Sequence, residues 1–211
     1  MEKYLDFVKN KIIELSKDDT TSFIKELEMY KNVYLHYKNI WKNTPYNNSN
    51  VNYNKHIFNL PPDREISLSW NIDLIYHDFL SVAPIYIISL TEFHHTFEED
   101  INHSQVEFNE LFHKITTIQE HRYRPILGIY FKPMHQNLIL DGRHRYTELL
   151  KFAPSHPIEL LYLDSTTVIN SLLTPFDLVK YIILNNIEEI HNYLFGDKTI
   201  KNMLHFSDYN L

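Results

Sequence analysis

Cysteine is absent from this chain of 211 residues. That removes disulfide frameworks and thiol chemistry in one step, and makes the cytoplasm the expected address. Glycine is nearly as scarce, at 3 in the whole sequence, so the place where one stands beside charged residues draws notice. No apolar stretch approaches the roughly 18–20 residues that span a bilayer. The opening residues, MEKYLDFVKNKIIELSKDD, mix charges through the apolar positions and do not read as a secretory signal. A basic excess is also missing: 20 Lys+Arg stand against 27 Asp+Glu, a formal charge of −7. That balance argues against a duplex-DNA binder, but a few local arginines suffice for a small nucleotide.

What is present suffices for a folded domain. Hydrophobic residues make up 44% and charged residues 22%, enough for a core and an ordinary polar surface. Leu5, Val8, Ile12 and Leu15 fall at helical spacing, and Phe23, Leu27, Tyr30, Tyr34, Tyr37 and Trp41 form a second, aromatic stripe. The two segments predict a helical hairpin, with the stripe as packing surface against the domain or a second copy. An Asn-rich loop from Asn43 to about Lys55 follows. Leu68, Ile72, Ile75 and Phe79 predict another helix, ended by Pro84, and IYIIS (85–89) predicts a buried strand. Ser104 to Glu107 has the form of a capping box opening a helix. A basic stretch, His121-Arg122-Tyr123-Arg124, precedes the strand ILGIYF (126–131), a turn, and the strand LIL (138–140).

A helix with Tyr146, Leu149 and Leu150 facing inward, and a strand IELLYL (158–163), come next. The final helix has Thr174 as cap, Pro175 in its first turn and Gly196 as its stop. The predicted fold class is α+β: a small mixed sheet of about four strands with surrounding helices, preceded by a helical hairpin. Three consecutive segments are expected: an arm and linker over 1–60, a core over 61–165, and a C-terminal helical segment over 166–211 packed on that core.

The most informative stretch is LILDGRHRY (138–146). A strand ends, Asp141-Gly142 turns, and a helix opens at about Arg143. Gly142 can adopt angles closed to other residues and lets a ligand approach the main chain. The free amides and positive end of the new helix favour an anion. Arg143, His144 and Arg145 add donors suited to phosphate oxygens. Asp141 either stabilises its own turn or holds Mg²⁺. His94 and His95 with Glu98 or Glu99 have ligand-like spacing, but no HExxH and no Cys/His set accompanies them, so no zinc site is assigned.

IYIISLTEFHHTFEED, a capped helix, YRPILGIYF and NLILDGRHRYTELLKF, in that order and spacing, resemble the ParB/sulfiredoxin-like domain over about Ile85 to Leu163. The resemblance implies nucleotide phosphates bound at the box Gly142, Arg143, His144 and Arg145. Sulfinic-acid repair is excluded, because the position of the sulfiredoxin cysteine is Arg143. A centromere-binding role is disfavoured, because no basic helix-turn-helix follows. The branch it most resembles is the free-serine kinases, whose box reads D-G-H-H-R; Arg143 replaces the first His. In that branch an acidic residue after the first strand activates the substrate hydroxyl, and Phe97-Glu98-Glu99-Asp100 lies at that point, with Glu98 and Glu99 both open as the base. The implied function is phosphoryl transfer from ATP or ADP, with Mg²⁺ at Asp141, to a small hydroxylated metabolite. The catalytic residues are then Glu98, Glu99 and Asp141. The alternatives are a nucleotide-sensing regulator, with the helical arm carrying the signal to a protein partner or a second copy, and a DNA-directed nuclease.

Overall fold

A computed structural model describes residues 1–15, 20–41, 51–62, 64–103, 124–196, 200 and 202–211. The expected capping box at Ser104 and Glu107, its helix, and most of the basic stretch before Arg124 lie outside the described residues. In chain order the elements are α1 (Glu2–Leu15), α2 (Thr21–Trp41), β1 (Tyr53–Leu60), β2 (Arg64–Asn71), α3 (Ile72–Phe79), β3 (Ile85–Ile88), α4 (Leu90–Thr96), α5 (Glu98–His103), β4 (Ile126–Phe131), β5 (Gln136–Asp141), α6 (Arg143–Phe152), β6 (Ile158–Asp164) and α7 (Pro175–Phe195). They form two compact units: residues 1–71 with 170–211, and residues 72–169.

In the first unit α1 and α2 pack as the expected hairpin. Leu5, Ile12, Leu27 and Tyr30 are buried in it. Surface ion pairs Lys9–Glu28, Lys31–Asp6 and Lys38–Glu2, each at 2.7 Å, match charges along the two helices. Such exposed pairs contribute about 0–1 kcal/mol each, so the apolar seam holds the hairpin. The aromatic stripe of α2 meets α7, with Phe23 against Tyr193 at 5.2 Å and Tyr34 against Phe176 at 5.3 Å between ring centroids. α7 begins as its sequence predicts: Thr174 Oγ1 accepts from the Asp177 amide at 3.0 Å, and Pro175 occupies the first turn. It ends with the Gly196 amide donating to the Asn192 carbonyl.

β1 and β2 correct two expectations. The loop expected to run to about Lys55 gives way to a strand at Tyr53, and the helix expected from Leu68 starts at Ile72. Residues 53–60 and 64–71 pair antiparallel in full register, Tyr53 opposite Asn71 and Leu60 opposite Arg64. The reason is period: Ile66, Leu68 and Trp70 alternate inward, together with Phe58 and Leu60. Helical spacing is met only once the chain passes Asn71.

The second unit holds a four-stranded mixed sheet in the order β3-β6-β4-β5. β4 runs parallel to β6 and antiparallel to β5, and β3 is antiparallel to β6. β4 lies inside the sheet and is apolar at nearly every position, as a strand covered on both faces requires. β3 is not the buried strand its composition suggests. It is an edge, with Ile87 71% exposed. Apolar, β-branched residues mark a strand but not whether its flank is covered. Leu150 is also corrected: it is 51% exposed, while Tyr146 is buried. One cluster comprising Leu90, Phe93, Phe97, Ile101, Ile126, Ile139, Tyr146, Ile158 and Leu160 binds α4, α5 and α6 to the sheet. Gly128 in β4 makes room for it, since a Cβ there would lie 2.5 Å from Phe97 Cζ. Among the described residues, no helix is long and apolar enough to cross a membrane.

Candidate functional site

β5 ends at Asp141, the chain reverses at Gly142, and α6 starts at Arg143. Gly142 sits at φ +94°, a conformation open to glycine and strained for other residues. A Cβ at this position would also fall 2.9 Å from both Arg145 Nη2 and Ile126 Cγ1. The first α-turn closes with the Tyr146 amide on the Gly142 carbonyl at 3.0 Å, and no side chain caps the helix start. The leading amides of a helix have no intrahelical acceptor, so this end presents donors and positive potential to whatever lies over the bend.

Arg145 folds back over that bend. Its Nη2 donates to Asp141 Oδ2 at 3.0 Å and to the Tyr76 hydroxyl at 3.4 Å. Its Nη1 is buried and has no hydrogen-bond partner. A guanidinium nitrogen in that condition is costly unless an acceptor arrives. The Tyr76 hydroxyl, from α3, shares its single proton between the Pro125 carbonyl at 2.7 Å and Asp141 Oδ2 at 3.0 Å. Burial, and then the Asp141 charge, push the Tyr76 phenol well above the ordinary tyrosine range. It therefore stays a neutral donor. Arg124 stacks over the Tyr76 ring at 4.9 Å and pairs with Asp73 at 2.9 Å. The result is a connected chain of polar contacts, Asp73–Arg124–Tyr76–Asp141–Arg145, that ends at the bend.

Arg143 does something else. Its Nη2 donates to both oxygens of Asp100, at 2.8 and 2.7 Å, and its guanidinium also donates to the Ile139 carbonyl. Asp100 Oδ2 in turn accepts the Ile139 amide at 2.8 Å. The Asp100 side chain is 0% exposed, so this ion pair joins α5 to β5 in the interior. Of the residues singled out in the sequence, Asp141, Gly142 and Arg145 come together at the bend. His144 lies half-buried on the first turn of α6, and Arg143 is engaged beneath that turn.

Glu98 and Glu99 stand exposed on α5, with Glu98 4.0 Å from His95. His94 is held through Nδ1 by the Tyr146 hydroxyl at 2.6 Å. Asp100 is thus the residue of the acidic run that reaches the box. It was detectable in principle: it sits between Phe97 and Ile101, on the face of α5 that must point inward, and a carboxylate there requires a cation. Tyr76 had no such local signal, because its partners are set by tertiary packing alone.

Among the described residues, no group of three or more His, Asp or Glu side chains can hold a metal. Asp141 Oδ2 already accepts from Arg145 and Tyr76. A Mg²⁺ ion at Asp141 would therefore draw its remaining ligands from phosphate oxygens and water, as this cation commonly does. An anion is the better fit to the bend itself, given the uncapped helix start and the unsatisfied Arg145 nitrogen. No family model, curated protein or solved structure matches the chain. The chemistry of the site therefore rests on its geometry.

Proposed function

We propose that residues 72–169 form a ParB/sulfiredoxin-like nucleotide-binding domain, which holds the phosphates of ATP or ADP over the Gly142 bend and passes a phosphoryl group to a small hydroxylated metabolite. The observation that carries this reading is the Arg145 guanidinium, held in place by Asp141 and Tyr76 with a buried Nη1 that lacks an acceptor. A phosphate oxygen would supply that acceptor. The open amides at the start of α6, and His144 on the same turn, would add to it. The mixed sheet, and a strand that ends in Asp-Gly directly before a helix, support the family reading.

In the transfer, the acceptor hydroxyl oxygen bonds to the terminal phosphorus as the bridging P–O bond breaks. The hydroxyl proton passes to Glu98 or Glu99. Asp141 would be the residue to hold Mg²⁺, which would supply positive charge to offset that developing on the leaving oxygen. A second reading, nucleotide sensing without turnover, is favoured by one feature: both glutamates are solvent-exposed.

Titration calorimetry with ATP, ADP and other nucleotides tests the binding step. Arg145→Ala removes a charge-assisted bond of about 1.5–3 kcal/mol, a loss of roughly 10- to 150-fold in affinity. Heat with no nucleotide would overturn the proposal. Binding without conversion of ATP or ADP in the presence of hydroxylated amino acids would select the sensing reading.

A further inference from the structure

α7 carries Asn185, Asn186 and Glu189 in the midst of an apolar helix, and they are 1%, 2% and 5% exposed. Three buried polar side chains on one helix face need partners. They find them in the main chain of residues 202–204. Asn186 Nδ2 donates to the Leu204 carbonyl at 2.8 Å while the Leu204 amide donates to Asn186 Oδ1 at 2.8 Å. Asn185 Nδ2 donates to the Asn202 carbonyl at 3.0 Å, and the Asn202 amide donates to Glu189 Oε2 at 3.4 Å. Both main-chain groups of two alternate residues are thus read by side chains, the way a neighbouring strand would read them. Asn186 Nδ2 also donates to Tyr30 Oη at 3.0 Å, and the Tyr30 ring meets Phe206 edge-on at 6.0 Å.

The side chain of Asn202 takes no part in this pairing with α7 and the residue is exposed, as is His205. Recognition therefore falls on the peptide backbone and on the Phe206 ring. The buried Asn185 Oδ1 still has no hydrogen-bond partner with this segment in place. The helix thus offers one more acceptor than its own C-terminal segment uses.

We infer that Tyr30, Asn185, Asn186 and Glu189 form a backbone-reading peptide site, occupied in cis by residues 202–206 and open in exchange to the same segment of a second copy of this chain. The second copy is the occupant because the one peptide whose fit is displayed is this chain's own, and every copy carries it. Reciprocal exchange gives a closed two-fold pair. In the single chain the tethered segment competes at an effective concentration in the millimolar range, so a free peptide binds the wild-type protein weakly.

The test uses the intact chain and a fluorescent peptide of residues 200–211, IKNMLHFSDYNL. Leu204→Pro removes the amide that donates to Asn186 Oδ1 and leaves α7 untouched. It should bind the peptide about tenfold or more tightly than wild type, and adding Asn186→Leu should abolish that binding. A Leu204→Pro protein that melts cooperatively yet takes up no peptide overturns the inference, as does uptake indifferent to Asn186→Leu. Should Leu204→Pro fail to fold, hydrogen exchange on the wild type decides. The Leu204 amide must exchange through an opening that leaves α7 protected, and exchange only together with α7 overturns it. Light scattering reads the second copy: a dimer fraction that grows with concentration and is dissolved by excess peptide is expected, and a monomer at every concentration refutes that partner.

Discussion

The Asp100–Arg143 pair offers the sharpest test of how the bend is built. Arg143→Met leaves a carboxylate that is 0% exposed without its cation, while the Ile139 amide still donates to it at 2.8 Å. Breaking a buried pair from one side costs about 3–5 kcal/mol, and the retained amide bond places the expected loss near the lower end. Asp100→Asn sets an amide nitrogen against the guanidinium and strands a cation that is 18% exposed. The expected loss is about 2–3 kcal/mol, reduced because water reaches that side chain. The double variant Asp100→Leu/Arg143→Met strands neither charge and takes the carboxylate acceptor from the Ile139 amide, for about 1–2 kcal/mol, and should be more stable than either single change. Urea unfolding is the assay, followed by far-UV circular dichroism, because Trp41 and Trp70, the 2 tryptophans, both lie in the unit of residues 1–71 with 170–211. Single changes that each cost under about 1 kcal/mol, or a double variant as unstable as their sum, would refute the assignment of Asp100 as the clamp.

Gly142→Ala should cost about 1–2 kcal/mol for the left-handed backbone, with a further cost as Arg145 and Ile126 give way, and should weaken nucleotide binding in the same calorimetric titration. Thr174→Ala should destabilise the protein by about 1 kcal/mol through loss of the α7 cap, read as a lower urea midpoint at an unchanged slope. Stability should fall at high pH. Burial, with the charge of Glu188 second, pushes the Tyr4 phenol up to about 12. Folding thus favours its neutral form, and this contribution, about 2–3 kcal/mol, is whole below pH 10 and is lost as pH rises from 10 toward 12. The phenols of Tyr30 and Tyr76, raised by the same cause, add in the same direction. Urea midpoints that do not fall through this range, while tyrosinate absorbance shows Tyr4 ionising in the folded state, would contradict it.

Elements whose instructions lie within a few neighbouring residues were readable from the sequence alone. Thr174 and Pro175 start α7 and Gly196 ends it by bonds inside a single turn. The apolar run 126–131 is a covered strand wherever it is placed, and Asp141-Gly142 turns because glycine at φ +94° carries no steric penalty. Period also separates β2 from α3, although Leu68 fits both patterns and misleads when only every third or fourth residue is weighed.

The tertiary structure decided what depends on distant partners. Asp100 meets Arg143 across 43 positions and Tyr30 meets Asn186 across 156. No local propensity announces either contact, because its energy comes from removing both groups from water together. The same cause sends the two arginines of the DGRHR box to different tasks. Arg143 lies within reach of a buried carboxylate and is engaged by it, whereas Arg145 lies over the bend with one nitrogen still lacking an acceptor. The sequence by itself set the turn and its charges. Packing alone determined which of those charges is engaged by a buried carboxylate and which keeps a nitrogen without an acceptor, since that follows from which carboxylates the fold places beside them.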